Sequence, residues 1–142
     1  MAMLKKFIAS IFFLIGPTLA HGANLSNIYM SLENFVGRER SLDDVEKNFN
    51  SQKTIAITGP IGIGKTQFVR KYAYINRKKY NLTWWLDSER PLLEQYRELG
   101  TILLKEFPQD CLRKGVLEES PILFVNHYLK TTKKKWLLIF DN

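Results

Sequence analysis

At 142 residues, with 45% hydrophobic, 13% aromatic and 25% charged, the chain has one domain's length and enough apolar material for a core, which excludes a disordered tail. Lys and Arg number 21 against 14 Asp and Glu, a net charge of +7 that suits anionic ligands such as nucleotides, nucleic acid or acidic lipid. The single cysteine, Cys111, excludes an internal disulfide and a cysteine zinc cluster, and two distant histidines, His21 and His127, argue against a histidine-rich metal centre.

The N-terminus carries Lys5-Lys6, then the apolar run from Phe7 to Ile15, then Gly16-Pro17 and the small residues of Thr18-Leu19-Ala20. This is the order of a secretory signal over residues 1–20. The run falls short of the roughly 20 residues that span a bilayer as a helix, so no stable transmembrane span is expected. The alternative is that translation starts at Met30 and the upstream stretch is a misassigned start or a short interfacial helix. Residues 1–20 are therefore set apart from the fold, 21–32 read as a linker, and the folded part is expected over 33–142.

Within that part Ser41 is a plausible cap for a helix to Phe49, with Asp43 and Asp44 in its first turn and Leu42, Val45 and Phe49 at helical spacing. Thr54 to Thr58 is β-branched and uncharged, the pattern of a buried parallel strand, and ends in a Gly-Pro turn. Lys65 to Asn76 reads as a helix with Phe68, Tyr72 and Ile75 on one face, and Leu82 to Asp87 as a strand. Pro91 opens a helix whose Leu92, Tyr96, Leu99 and Leu103 form an apolar stripe ending near Pro108. Residues 109–120 are expected as loop; Ser120-Pro121 starts a further helix through Leu129, and Trp136 to Phe140 is too apolar to have either face in water. Strand, helix, strand, helix, helix, strand predicts an α/β fold with a parallel sheet between two helical layers. No internal repeat or low-complexity tract interrupts it.

Gly59-Pro60-Ile61-Gly62-Ile63-Gly64-Lys65-Thr66 satisfies the phosphate-loop pattern G-x-x-x-x-G-K-[ST], between an expected strand and an expected helix. Glycines let successive N–H groups turn inward toward a phosphate, and the positive end of the following helix adds to the field. Lys65 can reach β- and γ-phosphate oxygens, and the Thr66 hydroxyl can take one position on Mg2+. A magnesium nucleotide needs an acid from a neighbouring strand end, and Asp141 meets that need; otherwise it only closes a strand. Lys65 and Asp141 are also the pair to which any catalytic part would fall.

Phe35-Val36-Gly37-Arg38-Glu39, then Gly64-Lys65-Thr66-Gln67-Phe68, Tyr72-Ala73-Tyr74, Trp84-Trp85-Leu86-Asp87-Ser88-Glu89 and Trp136 to Asn142 stand in this order. Together they resemble the NB-ARC module of the STAND class of P-loop NTPases, over about residues 33–142. The resemblance implies an ADP/ATP switch with Mg2+. Val36, Gly37 and Arg38 would border adenine and ribose. Gly59, Pro60, Ile61, Gly62, Ile63, Gly64, Lys65, Thr66 and Gln67 would hold the phosphates, Thr66 and Asp141 would hold the metal, and nucleotide exchange would open the full-length molecule to self-association. Ile61 replaces a frequent glycine, and Asn142 replaces an acid thought to activate water. An amide cannot take a proton, so hydrolysis is expected to be slow at best.

The resemblance also implies a strand inserted between residues 54–58 and 136–141, supplied from beyond Asn142. Without it both strands would face a gap of unpaired backbone groups, and the sensor strand and the helical and winged-helix subdomains that the resemblance places over ADP are missing too, so the chain alone is expected to be a nucleotide-binding fragment with weak or no binding. Localisation is divided, because an export signal and an ATP site belong to different compartments. A misassigned start, a tethered cytoplasmic domain and delivery into another cell's cytosol all reconcile them.

Two other classes of function stand beside this one. A decayed switch would bind partners without nucleotide. A nucleic-acid binder would use Arg77-Lys78-Lys79, Lys130 and Lys133-Lys134-Lys135, with Tyr80, Trp84, Trp85 and Trp136 for stacking. Cys111 reads as a structural thiol, His127 as a helix-edge residue, and Glu89 and Glu94 as solvated acids.

Overall fold

A computed structural model of the chain describes residues 9–15, 24–29 and 36–141. Lys5-Lys6, the Thr18-Leu19-Ala20 stretch, His21, Met30, Phe35 and Asn142 lie outside the described residues. In chain order the elements are β1 (Ala9–Ile15), β2 (Leu25–Ser26), α1 (Glu39–Phe49), β3 (Thr54–Gly59), α2 (Lys65–Ile75), β4 (Leu82–Asp87), α3 (Leu92–Glu106), α4 (Lys114–Glu119), α5 (Pro121–Thr131) and β5 (Trp136–Asp141). Single turns of 3₁₀ helix occupy Arg77–Lys79 and Pro108–Asp110.

One sheet runs β2-β4-β5-β1-β3. β2, β4 and β5 form a parallel unit, with Leu82 opposite Trp136 and Asp87 opposite Asp141. β1 is antiparallel to both of its neighbours, so the sheet is mixed where an all-parallel one was expected. β3 nevertheless runs in the direction of β5, since each opposes β1.

The apolar stretch set apart as part of an export signal is thus a strand within the sheet. Ala9 to Leu14 pair with Gly59 to Thr54, and Phe12 to Ile15 with Phe140 to Leu137. The expected gap between residues 54–58 and 136–141 is filled by this strand. Its backbone groups serve both edges, and leaving those edges unpaired in the interior would be costly.

β5 shows why the core divides in two. Leu138 packs with Leu82, Trp84, Leu86, Leu99, Leu103 and Phe124, while Leu137 and Ile139 pack with Val45, Ile55, Phe68, Val69 and Tyr72. Alternate residues of a strand face opposite ways, so α3, α4 and α5 cover one face and α1 and α2 the other. This is an α/β architecture. β3 departs from its expectation: it is a sheet edge, with Thr54, Ala56 and Thr58 exposed and Ile55 buried. Threonines on the outer face tolerate water, so the β-branched run marked a strand and not its burial.

Among the five α-helices, α5 starts on a side-chain cap. Ser120 accepts from the Leu123 N–H at 3.4 Å, and Pro121 follows in the first turn. α1 starts two residues earlier than expected, because Arg38, in a left-handed conformation (φ 64°), accepts the first helical bond from Leu42; Ser41 caps nothing. Part of the expected loop at 109–120 is α4. Its Leu117 lies over Gly100 of α3, where a Cβ would come within 2.3 Å of Leu117 Cδ1. Among the described residues no helix is long and apolar enough to cross a membrane.

Phe124 is fully buried between α3 and the sheet. Phe124→Ala is expected to cost about 3–5 kcal/mol, a large part of a domain's roughly 5–15 kcal/mol. The loss should appear as a lower urea midpoint at unchanged slope. A loss under about 1 kcal/mol would show that this face is not core.

Candidate functional site

The loop between β3 and α2 gets its shape from two glycines. Gly62 (φ 83°) and Gly64 (φ 89°) hold left-handed conformations strained for other residues, while a Cβ on either would meet nothing within 4 Å. The demand is on the backbone, not on space. Arg38 is the one non-glycine residue with positive φ among those described, so Ile61, 73% exposed, carries no such backbone cost.

Lys65 opens α2 and folds back over this loop. Its Nζ, in a residue only 8% exposed, donates to the carbonyls of Gly59 (2.8 Å) and Pro60 (2.9 Å). The next residue reaches across the sheet: Thr66 Oγ1 donates to the Asp141 carboxylate, 3.1 Å from Oδ2 and 3.3 Å from Oδ1. The structure therefore brings Lys65, Thr66 and Asp141 to one edge, as the motif spacing suggests.

Asp141 is half-buried, and desolvation pushes its carboxyl above the ordinary range. The Thr66 bond and the charges of Arg70 and Lys65 pull it back, while Asp87 adds to the rise. Asp87 lies opposite Asp141 in the β4–β5 ladder, and the Ser88 N–H donates to the Asp141 carbonyl at 2.9 Å. Gln95, 2% exposed, clamps the Asp87 backbone: its Oε1 accepts from the Asp87 N–H at 2.8 Å and its Nε2 donates to the Asp87 carbonyl at 2.7 Å. Sequence reasoning missed this pair. The available signal was a glutamine beside Tyr96, on the side of the helix that carries Leu99. Glu89 and Glu94 are exposed.

The leading motif is tied to the loop by one bond. After Gly37 (φ 88°), the Arg38 guanidinium donates to the Ile63 carbonyl at 2.6 Å. A cavity of about 340 Å³ opens beside it, and its lining includes Arg38, Asp44, Thr58, Ile63, Lys65 and Phe68. That volume is within the range of small-molecule sites, which start near 300 Å³. Val36 and Gly37 are not in its wall, and Val36 is 92% exposed. Pro60 and Gln67 are exposed as well, and Gly59 is half-buried at the strand's end.

The aromatic groups of the nucleic-acid reading are placed otherwise. Tyr80 and Trp84 are buried, Arg70 lies over the Trp85 ring at 5.2 Å, and the Trp136 indole N–H donates to the Leu129 carbonyl. Arg77 lies over Tyr74, Lys79 pairs with Glu46, and Lys134 pairs with Asp110. Burial pushes the Cys111 thiol up to about 11, which disfavours the reactive thiolate. His127 is half-buried on α5.

The Thr66 hydroxyl and the Asp141 carboxylate are oxygen donors of the kind a magnesium ion takes. Among the described residues no group of three or more His, Cys, Asp or Glu could hold a metal unaided, so a cation at Thr66 and Asp141 would take the rest of its shell from water or from a ligand's oxygens. Compared with protein-family models, curated proteins and solved structures, the chain finds no match.

Because the folded carboxyl of Asp141 holds its proton to higher pH than an unfolded one, ionising it as pH rises through the folded value lowers stability. Asp141→Asn keeps an oxygen for the Thr66 hydroxyl and removes that cost. The ligand-free variant should melt higher than wild type at pH 7, with the gap closing as pH falls toward about 4. Thermal melts across pH test this; a variant melting lower at pH 7 would show the ionised carboxylate to be net favourable.

Proposed function

We propose that this chain binds a magnesium-bound adenine nucleotide through Gly59–Thr66, in the manner of an NB-ARC switch module. The observation that carries the reading is the Thr66–Asp141 pair, joined across 75 residues of sequence at the mouth of a glycine-shaped loop. One part of the expectation of weak or absent binding was a gap beside β3, and β1 occupies that place.

In this reading the loop N–H groups and the start of α2 face the phosphates. Lys65 leaves the Gly59 and Pro60 carbonyls to contact phosphate oxygens. Thr66 and Asp141 hold the cation, and the cavity beside Arg38 takes the nucleoside. Magnesium, when bound, supplies charge neutralisation and orientation of the phosphate chain. Asp87, with its backbone fixed by Gln95, stands next to Asp141 and raises the negative charge of the cation's surroundings. The choice of adenine, and of exchange over turnover, is supported by the ordered motifs of the sequence. The decayed-switch and nucleic-acid alternatives have no observation of this structure in their favour.

Calorimetric titration of the whole chain with ADP and with Mg-ATP should give saturable binding. Lys65→Ala should weaken it at least about 100-fold, or roughly 2.7 kcal/mol, and Thr66→Ala should remove the magnesium dependence. Raising salt from about 50 to 200 mM should change binding little, whereas a phosphate-backbone binder with several contacts would lose orders of magnitude. No binding by folded wild-type protein would overturn the proposal.

A further inference from the structure

Among the described residues the strand that carries the glycine loop has a single strand neighbour. β3 sits at the end of the sheet and bonds to β1, and β1 alone links it to β5. Neighbouring strands lie about 4.8 Å apart, so β1 sets a separation of roughly 9–10 Å between the strand ending in Gly59 and the strand ending in Asp141. Take β1 away and residues 54–59 and 137–140 face one another across a slot lined on both sides with unpaired N–H and C=O groups. The second core, through Val45, Ile55, Phe68, Leu137 and Ile139, would still hold β3 to the rest, but the pairing that fixes its spacing would be gone.

The same seven residues also carry the apolar run behind Lys5-Lys6 in a chain of net charge +7. An apolar segment led by two cations partitions to an anionic membrane surface or an export channel. It cannot be there and in the sheet at once, so the two environments compete for one segment.

We propose that the slot between β3 and β5 is a binding site for an extended apolar strand, that its occupant is this chain's own Ala9–Ile15, and that an anionic membrane surface withdraws this strand and thereby disassembles the phosphate-loop site. The strand-and-membrane part stands on the sheet pairing and the N-terminal sequence; the ligand consequence rests on the nucleotide reading above. A chain that keeps β1 in the sheet has Thr66 and Asp141 in register. A chain whose N-terminus is taken by a membrane loses that register. The conflict between an export-like N-terminus and a nucleotide site then becomes a division between two states of one molecule.

The test uses the full chain in a Cys111→Ser background, with Phe12→Cys and Ala56→Cys added. These positions are Cα partners in the β1–β3 ladder, and Ala56 is exposed. Directly opposed strand residues lie within the Cα separation of about 4.4–6.8 Å that a disulfide spans, so mild oxidation should close an intrachain bond. Hydrogen exchange of 54–59 and 136–141 is then followed, with nucleotide titration in parallel, as vesicles of phosphatidylcholine and phosphatidylserine are added. Exchange in α3 and α5 monitors the fold itself.

In the reduced form and in wild type, vesicles should raise exchange in both strands and weaken nucleotide binding, each by at least about tenfold. The oxidised form should change in neither, and phosphatidylcholine alone should do little. Failure of the bond to form, or protection in wild type that ignores anionic vesicles, overturns the inference. Vesicle-sensitive protection without nucleotide binding under any condition keeps the strand site and overturns the nucleotide reading instead.

Discussion

The double pairing of residues 9–15 sets the geometry of everything above the sheet. Four strands, β2 to β5, share one direction, and the loops at their carboxyl ends form the edge where open α/β sheets hold ligands. β1 opposes them, so its first residue, Ala9, lies at that same edge, opposite Gly59. The glycine loop, the acid ending β5 and the start of β1 are therefore neighbours by ladder register, before any side chain is considered. The Thr66–Asp141 bond is a consequence of that register.

Packing then fixes the helices that carry the site. Val69 and Tyr72 of α2 are buried against Leu137 and Ile139, which holds the helix start under the loop. α1 is tied to α2 through Glu46, which accepts from the Tyr72 hydroxyl and the Lys79 ammonium, each at 2.8 Å. Burial pushes the Glu46 carboxyl up, but these two donors outweigh it and leave it below its ordinary value. Because Arg38 directly precedes α1, this tie also positions the guanidinium that reaches the Ile63 carbonyl. On the other face Gln95 does the equivalent for Asp87, satisfying both backbone groups of the residue beside Asp141.

Local chemistry made much of this legible. The runs at 54–58, 82–87 and 136–141 showed as strands, the stripe of Leu92, Tyr96, Leu99 and Leu103 showed as a helix, although Leu92 is exposed, and Lys65, Thr66 and Asp141 followed from motif and strand-end position. What stayed hidden was non-local. An apolar run such as Ala9–Ile15 has the same pattern in an export signal and in a strand buried between two others, and periodicity does not separate them. α4 is six residues long and buries one leucine, over Gly100, too little to stand out. The Arg38–Ile63 bond spans 25 residues between two irregular segments, where no repeat or spacing marks a partner.

The posture of Lys65 bears on selectivity. In the ligand-free loop its ammonium already has two carbonyl partners, and hydrogen bonds that involve a charged group are worth roughly 1.5–3 kcal/mol each. An incoming molecule must offer more than those oxygens do. A hydroxyl or an amide cannot, because it exchanges one neutral acceptor for another. A phosphate chain of several negative charges can, and each added charge widens the margin. Under the proposed reading the lysine works as a threshold: sugars, bases and nucleosides leave it seated on its own backbone, while polyphosphates lift it away.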